Sequence, residues 1–145
     1  MSPTVQLCAF RAGDEELAVD IMRVQEIIHP LPITRVPKAP KAIEGVVNLR
    51  GVIVPVVDVR KQLGLAEPAQ APRSRFVICR VGPHLLALKV DGVTTVLRVE
   101  RDALRPAPMA AAASALSTAG AAPHIVGVCS AGGKLRLLLD VRALL

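Results

Sequence analysis

Between Glu44 and Gly64 the chain reads EGVVNLRGVIVPVVDVRKQLG, and few architectures accommodate that string. Val46, Val47 and Leu49 lead into Arg50-Gly51, and the apolar run Val52 to Val57 leaves it, the pattern of two strands joined by a tight turn. Gly51, lacking a Cβ, lets the backbone take a positive φ and reverse sharply, which holds Asn48 and Arg50 near an exposed tip. Asp58 follows the second strand as a helix N-cap, Leu63 sits one turn on, and Gly64 can close a very short helix in the left-handed conformation. The local grammar is strand, turn, strand, capped helical turn.

The rest of the chain repeats it. Val5 to Phe10 runs apolar, Arg11 to Asp14 makes a turn, and Leu17, Val19 and Ile21 continue on alternate positions. Asp14-Glu15-Glu16 is read as the solvated tip of that hairpin, since no His, Asn or second carboxylate group accompanies it. The stretch Asp20 to Ile28 fits both helical and strand spacing; a helical turn from Asp20 into a strand starting near Val24 is favoured. In that strand Glu26 shares a face with Val24 and Ile28, where a carboxylate needs a partner, unless it is a charge that protects an edge strand from aggregation. Pro30, Pro32, Pro37 and Pro40 forbid helix between His29 and Lys41 and favour an extended surface path decorated by Arg35, Lys38 and Lys41.

Ala66 to Ser74 is a Pro/Ala linker, after which strands are expected at Arg75–Val81, His84–Val90 and Val93–Val99, separated by turns at Gly82-Pro83 and Asp91-Gly92. The Ala-rich segment from Pro106 to Pro123 is expected as a surface loop with at most one helical turn. A last hairpin follows, His124 to Cys129 and Leu135 to Leu139, turned by Ala131-Gly132-Gly133. An internal echo links the halves: Asp58-Val59-Arg60 closes the first and Asp140-Val141-Arg142 the second, each directly after a Gly-turned apolar hairpin. Cys79 and Cys129 also each precede a glycine, Gly82 and Gly132, by three residues. These echoes predict an all-β chain of two related units, each too small to be stable alone and packed against the other.

Composition narrows the function. At 145 residues with 52% hydrophobic residues the chain is expected to fold as one domain with an ample core. No apolar run reaches the ~18 residues of a membrane span and residues 1–10 carry no signal-peptide pattern, so the expected location is cytoplasmic. Cys8, Cys79 and Cys129 are scattered and odd in number, which predicts buried free thiols rather than a disulfide framework or metal site. The net charge of +6 suits an acidic partner, a nucleic acid or simple solubility, but with Phe10 and Phe76 as the only aromatics the chain cannot build a base-stacking platform. His29, His84 and His124 lie apart from each other and from any plausible nucleophile, and no phosphate-cradling loop or G-x-S-x-G is present. Neither a catalytic site, a metal nor a cofactor is expected; a binding module is.

Taken jointly, Val24-Gln25-Glu26-Ile27, the P-x-x-P of Pro37 and Pro40, Ile43 with Gly45, Asn48-Leu49-Arg50-Gly51, Val52-Ile53-Val54-Pro55 and Asp58-Val59-Arg60 resemble the CheW family of chemotaxis coupling proteins, and the likeness runs from Val5 to Leu145. The resemblance implies two SH3-like five-stranded β-barrels around a shared core, approximately residues 5–64 and 74–145 of a single CheW-like domain, with exchange of segments between barrels allowed. It implies a stand-alone, non-catalytic adaptor between the cytoplasmic hairpin tips of chemoreceptors and the regulatory domain of a CheA-type histidine kinase, recruited to receptor arrays without inserting in the membrane. Carried over by motif position, Val24, Glu26, Gly45, Asn48 and Arg50 are expected at or near partner-binding surfaces, and Gly51, Asp58 and Gly64 in structural turns and caps. The output served, flagellar or surface motility, is left open, and a small nucleic-acid-binding barrel is the alternative from a different class.

Overall fold

The computed structural model describes residues 3–41, 43–64, 72–106, 125–131 and 134–141. The strands are β1 (Thr4–Ala12), β2 (Glu15–Asp20), β3 (Val24–Ile28), β4 (Ile43–Leu49), β5 (Val52–Asp58), β6 (Arg75–Val81), β7 (His84–Val90), β8 (Gly92–Glu100), β9 (Leu104–Pro106), β10 (Ile125–Ala131) and β11 (Lys134–Leu139). One α-helical turn, α1 (Val59–Leu63), and 3-10 turns at Ile21–Arg23 and Arg101–Ala103 complete the described elements. The ambiguous Asp20–Ile28 stretch resolves as a 3-10 turn, its Met22 N–H donating to the Asp20 carboxylate at 2.9 Å, followed by β3. Most of the Ala-rich segment lies outside the described residues, as do most of the Pro/Ala linker and Arg142.

The strands form two sheets, one in the order β8-β1-β2-β11-β10-β9 and the other β3-β6-β7-β5-β4. Both share one plan. A hairpin, β1–β2 or β6–β7, lies antiparallel within itself, and its second strand runs parallel to the last strand of another hairpin, β10–β11 or β4–β5. The fifth strand is entered by a change of sheet: β3 follows β2 in the chain but pairs with β6, and β8 follows β7 but pairs with β1. The expected sets of five are both present, and β9 extends the first by pairing with β10 at Gly127↔Pro106, Val128↔Arg105 and Cys129↔Leu104.

Sheet membership therefore crosses the 64–74 boundary in both directions, the segment exchange that the family resemblance allowed. Short connectors explain it: the 3-10 turn after β2 and the single residue Asp91 after β7 carry the chain on to the neighbouring sheet instead of back onto its own. The Asp-Val-Arg echo matches this symmetry, because Val59 after β5 and Val141 after β11 are both buried in one core. The cysteine echo does not: Cys79 lies on β6, whose counterpart is β1, and Cys129 on β10, whose counterpart is β4.

Three apolar layers result. Cys8, Phe10, Leu17 and Val19 from the first sheet meet Val77, Cys79, Leu86 and Leu88 from the second in a shared core. Successive side chains on a strand point to opposite faces, so the neighbours Leu7 and Ala18 turn inward with Val99 and Cys129. Phe76, Ile78 and Ala87 do the same in the second sheet with Val47, Val54 and Val56. Burial on both faces is why Leu7-Cys8-Ala9-Phe10 and Phe76-Val77-Ile78-Cys79 are continuous apolar runs rather than alternating ones. All three cysteines are buried free thiols; burial, with Cys8 nearby, pushes the Cys79 thiol up to about 12.

A buried polar junction ties the units. Arg60 Nε of α1 pairs with Asp91 Oδ1 at 3.3 Å, and the other Asp91 oxygen accepts from the Gly13 N–H at 2.6 Å in the β1–β2 turn. The Asp91 N–H donates to the Arg11 carbonyl at 2.8 Å.

Candidate partner-binding site

The tip of the β4–β5 hairpin is built by two residues with positive φ, Arg50 at 50° and Gly51 at 89°, between the paired Leu49 and Val52. That is the two-residue turn whose twist matches the flanking strands. The Asn48 side-chain oxygen accepts from the Gly51 N–H at 2.7 Å, so Asn48 shapes the turn. Arg50 then reaches across to β3, where its Nη1 donates to Glu26 Oε1 at 3.2 Å and its Nη2 pairs with Glu26 Oε2. The fork-on-fork geometry joins two elements far apart in the sheet order, since β3 is one edge and β4 the other. Along the same opening, Thr34 and Val46 exchange backbone hydrogen bonds at 2.8 Å each, drawing the Pro-rich connection against β4. The second sheet is thereby curled toward a closed barrel.

The pair faces water, with the Arg50 side chain 65% exposed and Glu26 28% exposed. The hydrogen bond from Arg50 holds the Glu26 carboxyl below its ordinary range. Ile27, Val52 and Ile53, next to these residues in sequence, are exposed apolar side chains, Ile53 at 62%. On the adjacent rung Arg80 Nη2 donates to Gln25 Oε1 at 2.6 Å. A charged fork held between two strand edges can engage carboxylates and carbonyls of another protein.

Among the residues singled out from sequence, the structure gathers Glu26, Asn48 and Arg50 at this tip. Val24 is partly buried and packs against the shared core. Gly45 lies further back on β4, where a Cβ would fall 2.2 Å from the Thr34 carbonyl oxygen, so its place is set by that close approach. Asp58 caps α1, its Oδ1 accepting from the Arg60 N–H at 3.0 Å and the Lys61 N–H at 3.4 Å, and Gly64, at φ 71°, ends it by donating to the Lys61 carbonyl. Burial pushes the Asp58 carboxyl up against the pull of those N–H groups.

Sequence reasoning missed Glu44, which accepts from Lys89 Nζ at 3.1 and 3.2 Å and from Lys61 Nζ at 3.4 Å. Burial pushes its carboxyl up, but the two ammonium groups more than offset that and hold it below its ordinary value. Their separations of 17 and 45 residues left no local signal. Among the described residues no group of His, Cys, Asp and Glu is arranged to hold a metal ion, and no helix is long and apolar enough to cross a membrane.

A model of the CheW-like domain matches residues 6–145. The chain belongs to the CheW-like family. It is 33% identical over 136 residues to the chemotaxis protein CheW of Klebsiella aerogenes, covering 94% of this chain and 78% of that one. Protein FrzA of Myxococcus xanthus is 30% identical over 131 residues, covering 90% and 78%. The crystal structure of the scaffolding protein TtCheW from Thermoanaerobacter tengcongensis superposes with a TM-score of 0.86 at 26% identity, covering 99% of this chain and 89% of that one. The paired sheets with exchanged strands are thus the two SH3-like barrels of a CheW fold, and the family places the chain among chemotaxis coupling adaptors.

Proposed function

We propose that the protein is a non-catalytic cytoplasmic adaptor that couples chemoreceptor hairpin tips to the regulatory domain of a CheA-type histidine kinase. The observation that supports it most is the family match over residues 6–145 together with an exposed Arg50–Glu26 fork that bridges the β3 and β4 edges. A coupling protein needs binding surfaces on a rigid body, and a barrel closed by that fork supplies one. Likeness to FrzA as well as to CheW proteins supports a chemosensory system whose output need not be flagellar. The nucleic-acid alternative is disfavoured because Phe10 and Phe76 are both fully buried, leaving no aromatic on which a base could stack.

Co-elution with the regulatory domain of the CheA-type kinase from the same genome tests the reading. Arg50→Glu, which sets two carboxylates face to face, is expected to weaken binding about tenfold or more, as loss of an arginine anchor does. Asp14→Ser, on the turn of the other sheet, is expected to leave binding unchanged. Equal binding by wild type and Arg50→Glu would remove the tip from the kinase surface, and absence of binding by folded wild type would overturn the adaptor reading.

A further inference from the structure

At the end of β4 away from the Arg50 tip, the Pro-rich connection bends around a cleft of about 310 Å³. Six residues of strand at ~3.3 Å each separate the two places, about 20 Å. The cleft is lined by the apolar side chains of Ile33, Val36 and Ile43 and by the cations Arg35, Lys38 and Lys41. Lys61 and Glu44 close one side. Glu44 is already engaged by Lys61 and Lys89, so the cleft's carboxylate is not available to neutralise Arg35, Lys38 and Lys41. All three of these cations are exposed, and Lys38 is held at a positive φ of 63°, which fixes its backbone in the turn after Pro37. The strap itself is fixed to β4 by the Thr34–Val46 hydrogen bonds and by the close approach at Gly45, so the charges are carried on an anchored segment.

Three cations beside three aliphatic side chains in one cleft call for an anion that also carries apolar groups. We infer that this cleft is a second docking surface, for an acidic, partly apolar peptide segment of a partner protein. A flat anionic membrane suits a convex or planar basic face rather than a cleft, and a single-stranded nucleic acid would need exposed aromatics, which the buried Phe10 and Phe76 do not provide. The carboxylates of the segment meet Arg35, Lys38 and Lys41 while an aliphatic side chain enters between Ile33, Val36 and Ile43. This surface is separate from the Arg50 tip and does not depend on its role.

The test uses the full-length protein and a fluorescent 12-residue peptide alternating Glu with Leu and Ser, against the same peptide with Gln for Glu. Binding of the Glu peptide is expected to fall as salt rises past the range where the Debye length is ~8–10 Å, and the Gln peptide is expected to bind at least about tenfold more weakly. The triple variant Arg35→Ser, Lys38→Gly, Lys41→Ser keeps the positive φ with glycine and is expected to lose about tenfold in affinity. The charge-matched triple Arg11→Ser, Arg98→Ser, Arg101→Ser, on the other sheet and the 3-10 turn that follows β8, is expected to lose less than about twofold. Amide shifts of the wild-type protein on titration give a readout that survives any misfolding of a variant; they are expected to move in residues 31–44. Equal losses in the two triples, shifts spread over the surface, or tighter binding to phosphatidylglycerol vesicles or an oligothymidylate through the same three residues would overturn the inference.

Discussion

An alanine at position 45 would place its Cβ 2.2 Å from the Thr34 carbonyl oxygen and 2.8 Å from the Ile33 side chain, at a φ of 155° that L-residues rarely adopt. The strap would have to leave β4. Gly45→Ala is therefore expected to cost about 1–3 kcal/mol, the range for overpacking, measured by urea unfolding, and to expose the strap to limited proteolysis. No loss of stability would show that the strap is not held by that approach. The same scale shows what was legible. Asn48, Arg50 and Gly51 announced their turn because positive φ and a short amide acceptor are local requirements. Glu26 announced only that a carboxylate among apolar neighbours needs a partner; that Arg50, 24 residues on, is the partner depends on the curl of the sheet. The approach of Thr34 to Gly45 was invisible, since nothing near Thr34 in sequence states which strand it will cross.

At the scale of elements, α1 is a single turn of five residues whose end groups outnumber its internal hydrogen bonds, so its cap decides whether it forms. Asp58→Ala removes the acceptor for two N–H groups and is expected to cost about 1–2 kcal/mol, whereas Asp58→Asn keeps an acceptor and is expected to cost little. Burial raises the Asp58 pKa above its ordinary 3.8. Between that value and the raised one the folded protein holds a proton that the unfolded chain has released, so this carboxyl makes the fold less stable as pH rises through the window. The stability of Asp58→Asn relative to wild type is accordingly expected to increase from pH 3.5 upward and then level off; a difference constant with pH would contradict the raised pKa. The hairpins and the cap were readable because turn residues and short-range pattern specify them. The parallel contacts β5–β7 and β2–β11 were not, because an apolar run buried on both faces, such as Phe76 to Cys79, does not say which strand lies beside it.

For the whole molecule, the hairpins β1–β2 and β6–β7 each sit in a sheet with strands from the other half of the chain, and both sheets share a core, so neither half contains a complete sheet. Fragments 1–64 and 74–145 are expected to be unfolded singly by circular dichroism and to gain β structure when mixed; an independently folded half would contradict this. The two-unit plan was visible in the Asp-Val-Arg echo, while the exchange could not be read from the echo because repetition records ancestry of segments, not their partners. A body made rigid in this way carries the Arg50–Glu26 tip as a fixed surface, which is what coupling two other proteins requires. The most direct measurement is retention of the CheA-type kinase on beads bearing a chemoreceptor signalling fragment, with and without this protein. Kinase retained only when the protein is added, and lost again with Arg50→Glu, is the expected result. Kinase retained equally without it, or this protein binding neither partner, would contradict the coupling role.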